Sequence, residues 1–256
     1  MSEIAVCFDI DGTLLTTARA GAAALEDAAE DLCGARPDLS RMKTAGFTDG
    51  EIAQAVLSRC DRQPPSRARV NEFLRRYEHH LPGRLPLRQG RVLDGVLDLL
   101  ESLTDAPEVV CLLLTGNTER GAMGKLGHYG LAGYFDGGAF CTGPEGRAAI
   151  ARRARELVAR RLDGPADPER FYLVGDTPSD VQAGNQVGAR TIAVASGAFD
   201  LATLSATGPW RAFETLPDPH GFARLVGSAP RSSRPAQAAS AGRCVRGRGG
   251  REGAAR

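Results

Sequence analysis

Apolar residues in this chain gather in short unbroken runs. IAVCFDI (4–10), EVVCLLL (108–114), RFYLV (170–174) and RTIAVAS (190–196) have the length and aliphatic content of strands buried on both faces, the pattern of a parallel sheet covered by helices. Between them, apolar positions recur at helical spacing in 91–103, 119–131, 146–162 and 180–188, and FCT (140–142) adds a short strand candidate. Strand and helix alternate. The alternation predicts a doubly wound α/β parallel sheet, in which ligands collect outside the carboxyl ends of the strands.

One interval breaks the alternation. From Leu14 to about Gly90 there is no convincing strand, only the helical stretches ARAGAAALEDAAEDLCG, DGEIAQAVLSRC and PSRARVNEFLRRYEHHL, separated by ARPDLSRMKTAGF and DRQPP, whose Pro and Gly interrupt helices. The expected organisation is an α/β core over 1–17 and 86–227 with a small all-helical domain inserted at 18–85. An insertion that leaves the core just after the first strand sits above the ligand-collecting edge.

Composition adds limits. The chain has 256 residues, 42% of them hydrophobic, and a formal net charge of +1, which suits a core with an appendage and gives no global reason for a nucleic-acid or anionic-membrane partner. No apolar run reaches membrane-spanning length and no basic segment precedes the first one, so no span or signal peptide is indicated and the expected setting is the cytoplasm. Six cysteines occur without a C-x-x-C pair, which argues against a zinc ribbon or a disulfide framework. Cys7 and Cys111, inside strand-like runs, read as packing residues.

The chemistry lies where the runs end. The first closes on Asp9 and Asp11, which share a strand face and stand close together. Like charges there need a shared proton, a cation or open water. EVVCLLL runs into Thr115-Gly116-Asn117 and RFYLV into GDTPSD, which carries Asp176 and Asp180. Taken singly these are turn and capping material, and Asp180 reads equally as a helix N-cap. In a parallel sheet the carboxyl ends share one edge, so these residues converge. Four carboxylates cannot all be ionised there without counter-charge, and hard oxygen ligands select a divalent cation such as Mg²⁺. Only two lysines, Lys43 and Lys125, occur among 32 basic residues. Lys125, in the helix after the Thr115 strand end, offers a compact ammonium that can return to the site.

DIDGT (9–13), the run ending in TGN (115–117), Lys125 in GKLGHYGLAGYF and GDTPSDV (175–181) resemble the four ordered motifs of the haloacid dehalogenase superfamily. The helical insertion resembles the cap of its phosphoglycolate phosphatase-like branch. The resemblance spans 4 to about 200 and implies a Rossmann-like core, a helical cap, and a Mg²⁺-dependent phosphatase of a small phosphorylated metabolite, as a monomer or dimer. It implies that Asp9 attacks phosphorus to form an aspartyl-phosphate and that Asp11 is the acid and then the base. Asp9, the Asp11 carbonyl and Asp176 would hold Mg²⁺, with Asp180 ordering a water or Lys125. Thr115, the Gly116 and Asn117 amides and Lys125 would neutralise the phosphoryl oxygens.

Alternatives stay open. Asp11 argues against a dehalogenase, since expelling halide needs no proton donor, whereas a phosphomutase keeps both aspartates. A phosphoryl-accepting signalling module gathers similar residues but is shorter and lacks the insertion. AGFTDGEI (45–52) resembles the cap segment of the phosphoglycolate phosphatase-like branch that faces the active site, which implies that Phe47, Thr48 and Asp49 touch the non-phosphate part of a substrate, while Thr48 or Asp49 reads equally as a helix N-cap. His79 and His80 read as solvated helix residues. The segment 228–256, with seven arginines and one acidic residue, is expected to be a disordered Arg/Gly-rich tail, the one candidate contact for nucleic acid.

Overall fold

The computed structural model of the protein describes residues 3–61 and 63–227; the proposed tail lies outside them. The chain opens with β1 (Ile4–Phe8) and β2 (Leu15–Thr16), continues through α1 (Ala20–Cys33), α2 (Asp49–Cys60) and α3 (Arg67–Arg84), and returns through β3 (Arg91–Val92). It then runs α4 (Val96–Thr104), β4 (Val109–Thr118), α5 (Glu119–His128), β5 (Gly138–Cys141), α6 (Arg147–Arg161), β6 (Phe171–Gly175) and α7 (Pro178–Val187). The last elements are β7 (Arg190–Val194), α8 (Leu201–Ala206), β8 (Arg211–Phe213) and α9 (Pro219–Val226).

Six strands form one sheet in the order β5-β4-β1-β6-β7-β8, and every pairing within it is parallel. The central strand β1 shows why the sequence has no polar alternation. Val6 and Phe8 face a layer that holds Leu99 and Leu103 of α4, Leu126 of α5 and Phe222 of α9. Ala5 and Cys7 face the other, with Ile150, Ala154 and Val158 of α6 and Val187 of α7. Both faces of the sheet are covered, as the doubly wound fold requires. Cys7 and Cys111 are buried packing residues.

The insertion has its own core, built from Ala28, Leu57, Val70, Phe73, Tyr77 and Leu81 across α1, α2 and α3. Buried Asp27 is held by Arg84, at 2.5 and 2.7 Å, and by Arg36. His80 bonds Asp31 at 2.8 Å on the insertion's surface.

Sequence periodicity misplaced several boundaries. Positions 91–103 form two elements: Arg91–Val92 pair antiparallel with Leu15–Thr16, Gly95 takes a left-handed conformation, and helix begins at Val96. The Leu93 amide bonds the Leu14 carbonyl at 2.9 Å, so a long-range ladder outweighs the local helical period. That ladder also places a two-residue strand where none is expected, and it ties together the two crossings into the insertion. The helix at 119–131 stops at His128, and Thr177, not Asp180, caps α7. Strand β8 and helices α8 and α9 are short elements beyond those that the apolar pattern predicts.

Phe73 is completely buried in the insertion core. Truncation to Ala is expected to cost about 3–5 kcal/mol in urea unfolding, with amide exchange accelerated mainly in α1–α3.

Candidate active site

Strands β1, β4 and β6 are neighbours in the sheet and parallel, so their carboxyl ends deliver Asp9, Thr115 and Asp176 to one edge. Asp9 is buried, and its amide bonds the Val174 carbonyl at 3.0 Å. Thr115 is fully buried; its hydroxyl accepts from the Asn117 side chain at 2.8 Å and donates toward Asp9. Asp176 accepts from the Thr13 hydroxyl at 2.8 Å. Gly12 makes this turn possible. Its φ is +87°, and a Cβ there would stand 2.3 Å from the Asp176 carboxylate, so the position needs both glycine's left-handed freedom and its missing side chain.

Asp180 serves two purposes with its two oxygens. Oδ2 closes a capping box with Thr177, accepting from its amide at 3.0 Å and its hydroxyl at 2.6 Å. Oδ1 points away from the cap toward Arg147. Oxygens of Asp9, Asp176 and Asp180 lie within 4.8 Å of one another, all buried. Capping and clustering therefore coexist in one residue, because a carboxylate has enough lone pairs for both.

The counter-charge comes from a residue that the sequence did not reveal. Arg147, first residue of α6, is buried; its Nη2 is 2.8 Å from Asp9 Oδ1 and also contacts Asp180 Oδ1. These contacts are ionic without hydrogen-bond alignment, and Nε and Nη2 of Arg147 and Oδ1 of Asp180 are buried without hydrogen-bond partners. Burial tends to discharge the guanidinium, but Asp180 and Asp9 outweigh that and keep it charged. In the sequence, Arg147 is one arginine among many at a helix start, and no local pattern marks it.

One guanidinium does not balance three carboxylates. Burial, resisted by Arg147, pushes the Asp9 carboxyl up to about 6. Burial and its neighbours Asp180 and Asp9 push Asp176 well above the usual carboxylate range. An oxygen-only cluster short of positive charge, with an Asp180 oxygen that accepts no hydrogen bond and meets only the Arg147 charge, fits a hard divalent cation.

Asp11 belongs to a second group. Strand β1 ends at Phe8, so the two aspartates diverge. Asp11 is half-buried and accepts at Oδ2 from Lys125 Nζ at 2.5 Å and from Asn117 Nδ2 at 2.8 Å; Lys125 also donates to Asn117 Oδ1 at 2.5 Å. Burial lowers the affinity of Lys125 for its proton, but Asp11 and Asp49 more than restore it, and the net shift is upward. Lys125 thus contacts Asp11 rather than Asp180, whose cation is Arg147.

The insertion closes the site from above. Thr48 is the N-cap of α2: its hydroxyl accepts from the Glu51 amide at 3.0 Å and donates to the Glu145 carbonyl at 2.7 Å, which buries it fully. Asp49, buried one residue on, accepts from the Thr118 amide of the core at 2.9 Å. A Cβ on Gly116 would meet Arg147 Nη1 at 2.9 Å and the Phe47 carbonyl at 3.0 Å, so a glycine lets the insertion loop approach the core. Phe47 remains 49% exposed. It lines a cavity of about 630 Å³ with Asp9, Asp11, Gly116, Asn117, Lys125 and Arg147 among its walls. A second cavity, about 570 Å³, runs along β5 and touches none of these carboxylates.

A family model for haloacid dehalogenase-like hydrolases matches residues 5–188. The chain belongs to that family of hydrolases. A comparison with curated proteins finds no match. Solved structures share the fold: a predicted phosphatase from Clostridium acetobutylicum is 18% identical with a TM-score of 0.64, over 89% of this chain and 98% of that one. A predicted phosphoglycolate phosphatase from Haemophilus somnus is 15% identical with a TM-score of 0.63, over 88% and 98%. CbbY from Rhodobacter sphaeroides, in complex with phosphate, is 20% identical with a TM-score of 0.64, over 84% and 95%. No helix among the described residues is long and apolar enough to cross a membrane.

Burial pushes the Asp49 carboxyl up to about 6, against the pull of Lys125 and the Thr118 amide. The folded chain holds that proton more tightly than the unfolded chain, so the stability Asp49 contributes falls as pH rises from about 4 to about 6. The stability of the unaltered chain minus that of Asp49→Asn should fall over this interval in urea titrations at fixed pH. A constant difference would show that Asp49 ionises freely.

Proposed function

We propose that this hydrolase is a Mg²⁺-dependent phosphatase acting on a small phosphorylated metabolite through an aspartyl-phosphate on Asp9. The observation that carries the reading is the separation of the two aspartates: Asp9 is buried against Arg147 and Thr115, and Asp11 stands half-exposed at the cavity wall with Lys125 and Asn117. One carboxylate is placed to attack and the other to exchange a proton with a leaving group or water. CbbY, the fold relative solved with phosphate, supports a phosphoryl site in this architecture.

In this reading an Asp9 oxygen attacks phosphorus, the bond from phosphorus to the leaving oxygen breaks, and Asp11 gives that oxygen its proton. Asp11 then takes a proton from the water that attacks the acyl phosphate, which releases inorganic phosphate and frees Asp9. Arg147, Lys125, the Thr115 hydroxyl and the Gly116 and Asn117 amides surround the transferring oxygens, where fixed positive charge favours the transition state. Asp9, Asp176 and Asp180, with the Asp11 carbonyl, would hold Mg²⁺, which when bound supplies the positive charge that the carboxylate cluster lacks. The helical segment at 18–85 acts as the cap, and Phe47 faces the non-phosphate part of the substrate. Thr48 contributes by holding the loop that carries Phe47.

Rapid-quench experiments with an alkyl and an aryl phosphate test the covalent step. Asp9→Asn should form no phosphoenzyme and show no turnover. Asp11→Asn should lose about 10²–10⁴ in turnover of the alkyl phosphate, keep more of the first step with the aryl phosphate, and retain whatever phosphoenzyme it forms. Mg²⁺ omission and Asp176→Asn should silence both substrates. Mg²⁺-dependent turnover by Asp9→Asn would overturn the covalent mechanism. Return of phosphate to a second hydroxyl would make the enzyme a mutase, and phosphorylation without turnover a signalling module.

Phe47→Ala tests the cap. It should change the ranking of metabolites more than it changes turnover of a small aryl phosphate, as read from kcat/KM across a panel. Equal losses on every substrate would indicate damage to folding.

A further inference from the structure

The helical insertion contains a thiol pair that plays no part in the phosphoryl chemistry. Cys33 is the last residue of α1 and Cys60 the last residue of α2. Packing of the two helices brings these ends together, so that the Cys60 thiol neighbours the Cys33 thiol and acts on it. Arg69 of α3 shows the same convergence independently. Its Nη2 donates to the Leu32 carbonyl at 3.1 Å and to Asp61 Oδ1 at 3.3 Å, so the residue before Cys33 and the residue after Cys60 meet on one nitrogen. Cys60 is exposed and Cys33 half-buried, whereas Cys7, Cys111 and Cys141 are buried.

We propose that Cys33 and Cys60 form a redox modification site, a dithiol that a peroxide closes reversibly to an intramolecular disulfide joining the carboxyl ends of α1 and α2. Exposed Cys60 reacts first. Its thiolate, formed by loss of the thiol proton to water, attacks one peroxide oxygen and the O–O bond breaks, leaving a sulfenic acid on Cys60 and a hydroxide that takes up the released proton as water. The Cys33 sulfur then attacks the sulfenic sulfur, the S–O bond breaks, and the departing hydroxyl leaves as water with the Cys33 proton. In sum, two thiols and one hydrogen peroxide give one disulfide and two waters. Burial and the adjacent thiol push Cys33 up to about 12, opposed by the Arg69 guanidinium, which makes Cys33 a slow resolving thiol.

The bond would staple helices that both wall the cavity over Asp11, α1 through Gly21 and Leu25 and α2 through Asp49 and Ile52. A cross-link between their ends restricts the independent motion of the two helices. Such a site adds oxidative control to the cap without touching a group that handles phosphate.

The test treats the full reduced chain with graded hydrogen peroxide, followed by peptide mapping without reductant. The expected result is a Cys33–Cys60 cross-linked peptide, two thiols lost per chain, recovery with dithiothreitol, and slower amide exchange at the ends of α1 and α2 while the link persists. Cys33→Ser should instead accumulate sulfenic or sulfinic acid on Cys60, and Cys60→Ser should leave Cys33 reduced at the same dose. Oxidation of Cys60 with Cys33 still free in the unaltered chain, a link from either residue to Cys244 or to a second chain, or no thiol loss at all would overturn the proposal. Because these readouts are independent of phosphate release, failure of the phosphatase reading would leave them unaffected.

Discussion

The site is organised by the need to balance negative charge buried at one sheet edge. Parallel strands send their carboxyl ends to the same side, and β1 and β6 each run directly into an aspartate. Ionised carboxylates removed from water are unstable unless cations or hydrogen-bond donors face them. The chain supplies two fixed cations from helices outside that strand pair, Arg147 from α6 and Lys125 from α5. Each takes one member of the Asp9/Asp11 pair, so two aspartates separated by a single residue occupy different electrostatic environments. The remaining excess of negative charge around Asp176 and Asp180 is what makes a divalent cation a fitting partner.

The insertion is part of that arrangement. Asp49 crosses from the insertion to the Thr118 amide, at the N-cap of the helix that carries Lys125. Thr48 crosses to the Glu145 carbonyl, two residues before Arg147. The insertion loop thus abuts the starts of both cation-bearing helices, and Gly116 lets its backbone come close. The contacts that seat the insertion loop on the core also meet the helix starts that place Lys125 and Arg147, which gives a physical route from the insertion's position to site electrostatics.

Much of the architecture was legible from local pattern. The four apolar runs became β1, β4, β6 and β7, the Leu14 to Gly90 interval is helical apart from β2 at its start, and Phe140 and Cys141 of FCT lie at the end of β5. Boundaries failed where a distant partner overruled local preference. Arg91 and Val92 fit a helical period yet pair with Thr16 and Leu15. Asp180 reads as a cap, but its oxygens divide between the capping box of Thr177 and the acidic cluster.

The sequence by itself determined what depends on neighbouring residues: the order of the main strands and helices, the glycine turn at Asp11-Gly12, the small polar clusters at strand ends, and hence the edge where chemistry gathers. Tertiary structure alone decided which cation faces which carboxylate. Asp11 meets Lys125 across a separation of 114 positions, and Asp9 meets an arginine that no motif singles out. It likewise buried Thr48 and Asp49 against the core and brought Cys33 close to Cys60. Periodicity and capping preferences act over a few residues, whereas charge pairing and thiol contact depend on distances through space that exist only once the helices have packed.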